Sequence, residues 1–177
     1  MKAIGILLLC LLAASTQVNG ALTTEGANTF IKEWLSLMHT TFAENTFSES
    51  ESAAMKNIYA DNVEWDWVGG QKGKGTRAEF NKMLGDSWGA MSKAFLPSNE
   101  FVNIDTKTNT VGVAFNLYLN LNGRGKADDC WFMAANNMIF ELNDQNQMTK
   151  WTGLWDSGSD AMNSCIVKAQ KAMSSDL

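Results

Sequence analysis

Asp66 stands between Trp65 and Trp67, just ahead of a run spaced by Gly69, Gly70, Gly73 and Gly75. A carboxylate set among large apolar rings loses hydration, and desolvation moves a carboxyl group toward the range in which it takes up protons as a general base. Asp66 is therefore the first catalytic candidate. His39, the single histidine, is the second acid–base candidate. It lies one residue off the apolar stripe of its segment, which predicts a rim or solvent position. One histidine without a His/Asp/Glu cluster at ligand spacing supports no metal site, and no cofactor is implied. Asp128 and Asp129 read as a solvated strand start, and Asp156 as a cap for the segment that follows it.

The second source of chemistry is apolar. Seven tryptophans, nine phenylalanines and ten methionines exceed what a small core ordinarily uses. A cavity lined by Trp and Met suits a small apolar ligand. Trp34, Met38, Tyr59, Trp88 and Trp151 are the apolar candidates for its lining. Asn116 and Tyr118 share one strand face with Asn120, and Asn137 follows Asn136 in mid-strand. Amides in a buried sheet need partners, which a ligand or trapped water supplies, so Asn116, Tyr118 and Asn137 join the candidate set.

Elements that position these residues follow from periodicity. Phe30, Ile31, Trp34, Leu35, Leu37, Met38, Thr41 and Phe42 repeat at three and four residues and predict a first helix. Ser48 with Glu51 has capping-box spacing and predicts a short helix ending near Asp61. A strand is expected over 63–68, a glycine-spaced turn after it, and a third helix from the Thr76–Glu79 capping box through Phe80, Met83, Leu84, Trp88, Met91 and Phe95, closed by Pro97. The pattern then changes to period two, predicting strands over 101–104, 110–121, 130–142 and 148–155, with turns short enough for an antiparallel meander. A final helix begins at Asp160. Helices first and a curled antiparallel sheet after them is an α+β arrangement.

The first twenty residues have a secretory pattern: Lys2, an apolar run from Ile4 to Ala14 too short to span a bilayer, and Val18 and Gly20 placed for cleavage before Ala21. Residues 1–20 are thus expected to be a signal peptide and 21–177 a single domain, secreted and without membrane attachment. The net charge is −5 and no run of Lys or Arg stands out, which argues against a nucleic-acid partner. Cys10 leaves with the leader, so Cys130 and Cys165 remain in an oxidising compartment and are expected to form one disulfide.

The segment Tyr59-Ala60-Asp61, then Glu64-Trp65-Asp66-Trp67-Val68-Gly69, then Gly75-Thr76, together with Ile139-Phe140-Glu141-Leu142-Asn143-Asp144, resembles ketosteroid isomerase and its wider nuclear transport factor two-like superfamily. That superfamily also holds SnoaL-like polyketide cyclases and scytalone dehydratases. The resemblance covers roughly residues 26–156. It implies a cone-shaped sheet with three N-terminal helices in its concave face and Asp66 at the position of the proton-shuttling aspartate; the helix after Asp160 lies beyond the usual family core, and a Cys130–Cys165 bond would pin it to the sheet. Under it Glu64, Asp66 and Val68 face the cavity; the opposite pleat, with Val63, Trp65 and Trp67 inward, would turn Asp66 out. The isomerase's two oxyanion donors are matched by Trp34 and by Met138 or Asn137, and loss of such donors typically costs several kcal/mol of transition-state stabilisation. The main expectation is accordingly a secreted binder of a small hydrophobic molecule. The alternative is an isomerase, cyclase or dehydratase with Asp66 as base, and a third is a non-catalytic module pairing into a homodimer through its sheet face.

Overall fold

The computed structural model describes residues 21–67, 71–89, 92–155 and 159–174, with the backbone alone at Asn99 and Trp155. The expected leader, Val68 and Asp156 lie outside the described residues. Helix α1, Thr24–Glu44, starts where the Thr23 side chain accepts from the Gly26 amide and stops at Asn45, which turns left-handed (φ 59°). Its predicted stripe is the buried one, from Ala27 to Phe42. Helix α2 is shorter than expected, Ala53–Ile58, and its cap is Ser52, not Ser48. The Ser52 hydroxyl reaches the Met55 amide, while Glu51 pairs with Lys56 at 2.9 Å instead of closing a capping box.

Strand β1, Tyr59–Trp67, follows α2 without a loop. The glycine-spaced stretch after it is a strand as well: β2, Lys72–Thr76, pairs antiparallel with β1 from Asn62↔Thr76 to Asp66↔Lys72. Glycine is required here by close approach, because a Cβ on Gly73 would stand 2.5 Å from the Trp65 ring. The Thr76–Glu79 capping box is present and opens helix α3, Arg77–Leu84.

The third helix was expected to run to Phe95, and it does not. It gives way to a π turn at Gly85–Gly89, after which β3 runs from Ser92 to Asp105. Two glycines lower helix propensity at that point. Packing completes the break: Phe47 lies against Gly89 so closely that a Cβ there would fall 2.5 Å from its ring, and Phe95 stacks on Phe42 at 5.2 Å from the strand. Pro97 is accommodated inside β3 because β3 is an edge strand.

Strands β4 (Thr110–Leu121), β5 (Trp131–Leu142) and β6 (Met148–Trp155) fall where period two places them. The six strands form one sheet in the order β2-β1-β6-β5-β4-β3. It is not wholly antiparallel, since β1 and β6 run parallel. Helices α1, α2 and α3 pack on its concave face. Trp34, fully buried, stands at the centre of that face among Phe95, Phe115, Phe140 and Trp151. Helix α4, Asp160–Ser174, buries Met162, Cys165 and Ala169 and is joined to the sheet by a Cys130–Cys165 disulfide, Cα–Cα 5.4 Å.

Candidate functional site

Pleat parity decides where the first candidate points. Val63, Trp65 and Trp67 are buried toward the helices, which puts Glu64 and Asp66 on the outer face of β1. There Asp66 Oδ2 accepts from Lys72 Nζ at 2.7 Å and its side chain keeps 35 % exposure. The orientation expected from the resemblance is therefore reversed. The tryptophans bury far more apolar area than a carboxylate, so they take the inward pleat. His39 is exposed, with its ring Nδ1 3.0 Å from the Phe95 carbonyl, and it too lies outside the interior.

The interior holds an apolar cavity of about 50 Å³ between the helices and the sheet. Phe42 from the end of α1, Leu84 from α3 and Trp88 from the π turn form its helical side, and Trp67 closes it from β1. The sheet supplies Phe95, Leu117, Leu119, Asn136, Met138, Trp151 and Gly153. Every lining residue is buried except the half-buried Trp88, which marks the mouth. Gly153 makes room: a Cβ there would come within 2.9 Å of the Trp67 ring and 3.3 Å of Met138 Sδ. Beside the mouth Arg124 Nε donates to the Gly89 carbonyl at 2.6 Å and Nη1 donates to the Phe42 carbonyl at 3.0 Å, tying the π turn to the end of α1. Burial lowers the pKa of this guanidinium from its ordinary value.

Of the ligand candidates, Trp88 and Trp151 are brought to the cavity. Trp34, Met38 and Tyr59 are not on its wall; they are wholly buried in the core behind it. Tyr59 O–H points at Met38 Sδ, 3.9 Å away, and burial pushes its phenol far above the usual range. The Trp34 indole lies near enough to oppose that shift but makes no hydrogen bond by geometry. Asn116, Tyr118 and Asn137 lie on the outer face of the sheet, a correction to their expected role. In β4 the odd-numbered residues Val111 to Leu121 are buried, joined at the strand end by Asn120, and in β5 the even-numbered ones are.

The polar lining residue is Asn136, next to the residue that was singled out. Glu141 carried the signal. A carboxylate on β5 must face water, which by period two sends Asn137 out and Asn136, Met138 and Phe140 in. Trp67 reaches the wall because the tryptophans of β1, and not Asp66, take the inward pleat. No lining residue is an acid, a base or a tyrosine. The chemistry available is therefore burial, shape and hydrogen bonding. Among the described residues no three His, Cys, Asp or Glu stand together as a metal site, and no helix is long and apolar enough to cross a membrane.

No protein-family model matches the sequence, and no curated protein sequence does. Solved structures do match. A proposed polyketide cyclase from Xanthomonas campestris superposes with a TM-score of 0.55 at 15 % identity, over 82 % of this chain and 97 % of that one. A proposed SnoaL-like polyketide cyclase from Shewanella putrefaciens gives 0.57 at 11 % identity over 80 % and 96 %. The BvnE pinacolase of Penicillium brevicompactum gives 0.55 at 12 % identity over 86 % and 93 %. At such identities the likeness is one of fold: the cone-shaped α+β fold of the nuclear transport factor two-like superfamily.

Proposed function

We propose, from this nuclear transport factor two-like fold, that the protein binds a small, predominantly apolar molecule in the cavity between Trp67, Trp88 and the concave sheet. The supporting observation is the lining itself, ten apolar or glycine positions around one buried amide. A pocket of that composition holds ligands by burial and orients them with few polar groups. At about 50 Å³ it is smaller than the roughly 150 Å³ cavity that takes benzene, so the ligand is small or enters by displacing the half-buried Trp88. The pattern of residues 1–20 and the disulfide support secretion.

Titration with toluene, read by the amide shifts of Met138, Leu119 and Trp67, tests the binding reading. Saturable shifts at one site per chain are expected. A folded protein whose cavity amides move neither with toluene nor with the much smaller xenon retires it.

A second reading is favoured by the neighbours, among them proposed cyclases and a pinacolase: a cofactor-independent isomerase or cyclase working in the same cavity. With no acid or base on the wall, such a reaction rests on positioning and on hydrogen bonds to a substrate oxygen. Slow conversion of a bound substrate, unaffected by Asp66→Asn and abolished by changes at the cavity wall, would favour it over plain binding.

A further inference from the structure

Arg124 is held in a backbone conformation that arginine does not favour. In the connection from β4 to β5 three consecutive residues have positive φ: Gly123 at 57°, Arg124 at 59° and Gly125 at 89°. Glycine takes this region without cost, whereas a residue with a side chain stays there only when its surroundings hold it. Those surroundings lie on both sides. Behind the turn, α4 rests on Gly123 so closely that a Cβ there would stand 3.0 Å from Met173 Cγ and 3.3 Å from the Ala169 carbonyl oxygen. In front, the guanidinium donates to the Phe42 and Gly89 carbonyls, 82 and 35 residues away in sequence.

Both carbonyls belong to the cavity mouth. The Phe42 ring lines the cavity, and its carbonyl is among the last four of α1, which leave the helix unpaired. No basic residue stands in the last turn of α1, so Arg124 supplies from β4 the cation that a helix C-terminus favours. The Gly89 carbonyl directly follows Trp88, the half-buried residue at the mouth. The π turn that carries Trp88 has a glycine at each end, Gly85 and Gly89, and small residues of this kind absorb backbone rotation at a hinge. Two further ties of the turn, Gln71 to Ser87 and Lys82 to Asp86, are exposed to water, where such contacts contribute little.

We propose that Arg124 is a positioning residue that latches the cavity mouth: backed by α4, it holds the Trp88 turn against the end of α1 and thereby sets how fast a ligand enters and leaves. Arg124 does not line the cavity. Loosening it therefore lowers the barrier to opening for the filled and the empty protein alike, so that both rates rise and the affinity stays. What passes the mouth rests on the binding reading above; the latch on the turn does not.

The test compares the wild type with Arg124→Gly, which removes the guanidinium and leaves a residue suited to a φ of 59°, and with Arg124→Lys, which keeps the charge but loses the forked pair of donors. One readout is hydrogen exchange at the Ser87, Trp88 and Gly89 amides, with the Val113 and Phe140 amides as controls. The other is the association and dissociation rate of toluene, from NMR line shapes of the Met138 and Leu119 amides. Arg124→Gly should speed exchange at the turn about tenfold with the controls unchanged, and should raise both toluene rates about tenfold while the affinity changes less than about threefold. Arg124→Lys should fall between, and it decides by the same readouts should Arg124→Gly not fold. Unchanged exchange at the turn would overturn the latch, and so would an equal rise at the controls, which is the mark of a general loss of stability. Toluene rates that stay at the wild-type value while the turn loosens would overturn it too, because the ligand would then pass elsewhere. Should neither toluene nor xenon bind a folded wild type, the binding reading fails, and hydrogen exchange still decides whether Arg124 latches the turn.

Discussion

At the scale of single residues, Asp66 and Asn136 show how one pleat sorts function from solvation. The carboxylate of Asp66 is held by Lys72 on the outer face, and exposed ion pairs of this kind contribute at most about 1 kcal/mol. Asp66→Asn is expected to shift the urea midpoint only slightly and to leave toluene affinity unchanged. A large loss of binding in that variant would mean that β1 presents its other face in solution. Trp34 is the contrasting case, buried among four aromatic partners with its indole nitrogen unpaired. Truncating it to alanine should cost about 3–5 kcal/mol by denaturant titration, as large aromatic deletions in cores do.

At the scale of elements, α3 depends on its first turn. The Thr76 hydroxyl accepts from the Glu79 amide, and Glu79 Oε2 accepts in return from the Thr76 amide at 2.7 Å. Thr76→Ala should therefore cost about 1 kcal/mol. Hydrogen bonds from the Thr76 backbone and hydroxyl hold the Glu79 carboxyl below its ordinary value, and a carboxyl lowered on folding stabilises the folded state above its unfolded pKa. That contribution is present at neutral pH and is lost as the pH falls below about 4.5 through the lowered folded value. Glu79→Gln should accordingly flatten the acid limb of the stability–pH curve while changing its shape little near neutrality, which thermal melts from pH 3 to 7 would read. Gly153 is the equivalent point on β6. Alanine there must displace Trp67 or Met138, and overpacking of this kind typically costs about 1–3 kcal/mol and should perturb the cavity amides at the same time.

At the scale of the whole molecule, the disulfide joins α4 to the start of β5 across 35 residues of chain. In the chain-entropy model closing such a loop contributes about 4 kcal/mol, so replacing Cys130 and Cys165 by alanine should lower stability by roughly that amount. No α4 residue lines the cavity, and the double variant should still bind toluene at a temperature where it stays folded. The outer sheet face leads to a different expectation. Leu96, Tyr118 and Met133 stand side by side across β3, β4 and β5, and all three are exposed. Homodimer pairing through the sheet face, as expected from the sequence, would cover these three side chains. Sedimentation should find the wild type as a dimer and Tyr118→Lys as a monomer; a monomeric wild type at high concentration would refute pairing through this face.

Local signals alone give the helices-then-sheet layout, the bounds of β4 and β6, the α3 cap and the cysteine pair, because each rests on local periodicity, on a side chain reaching its own backbone, or on there being two cysteines to join. The sequence also held the parity of β1 and β5, in the alternation of Val63, Trp65 and Trp67 against Glu64 and Asp66 and in the outward demand of Glu141. The likeness to the isomerase motif overrode that alternation for Asp66. Only the tertiary structure decided that the segment after Leu84 leaves the helix, since Met91 and Phe95 suit a helical stripe as well as a strand. The contacts that choose the strand come from Phe42 and Phe47, about fifty residues away in sequence. Tertiary structure likewise decided that Trp34 and Tyr59 are core while Trp67 and Asn136 face the cavity: a buried side chain is the same in sequence whether its neighbours fill the space beside it or leave it empty.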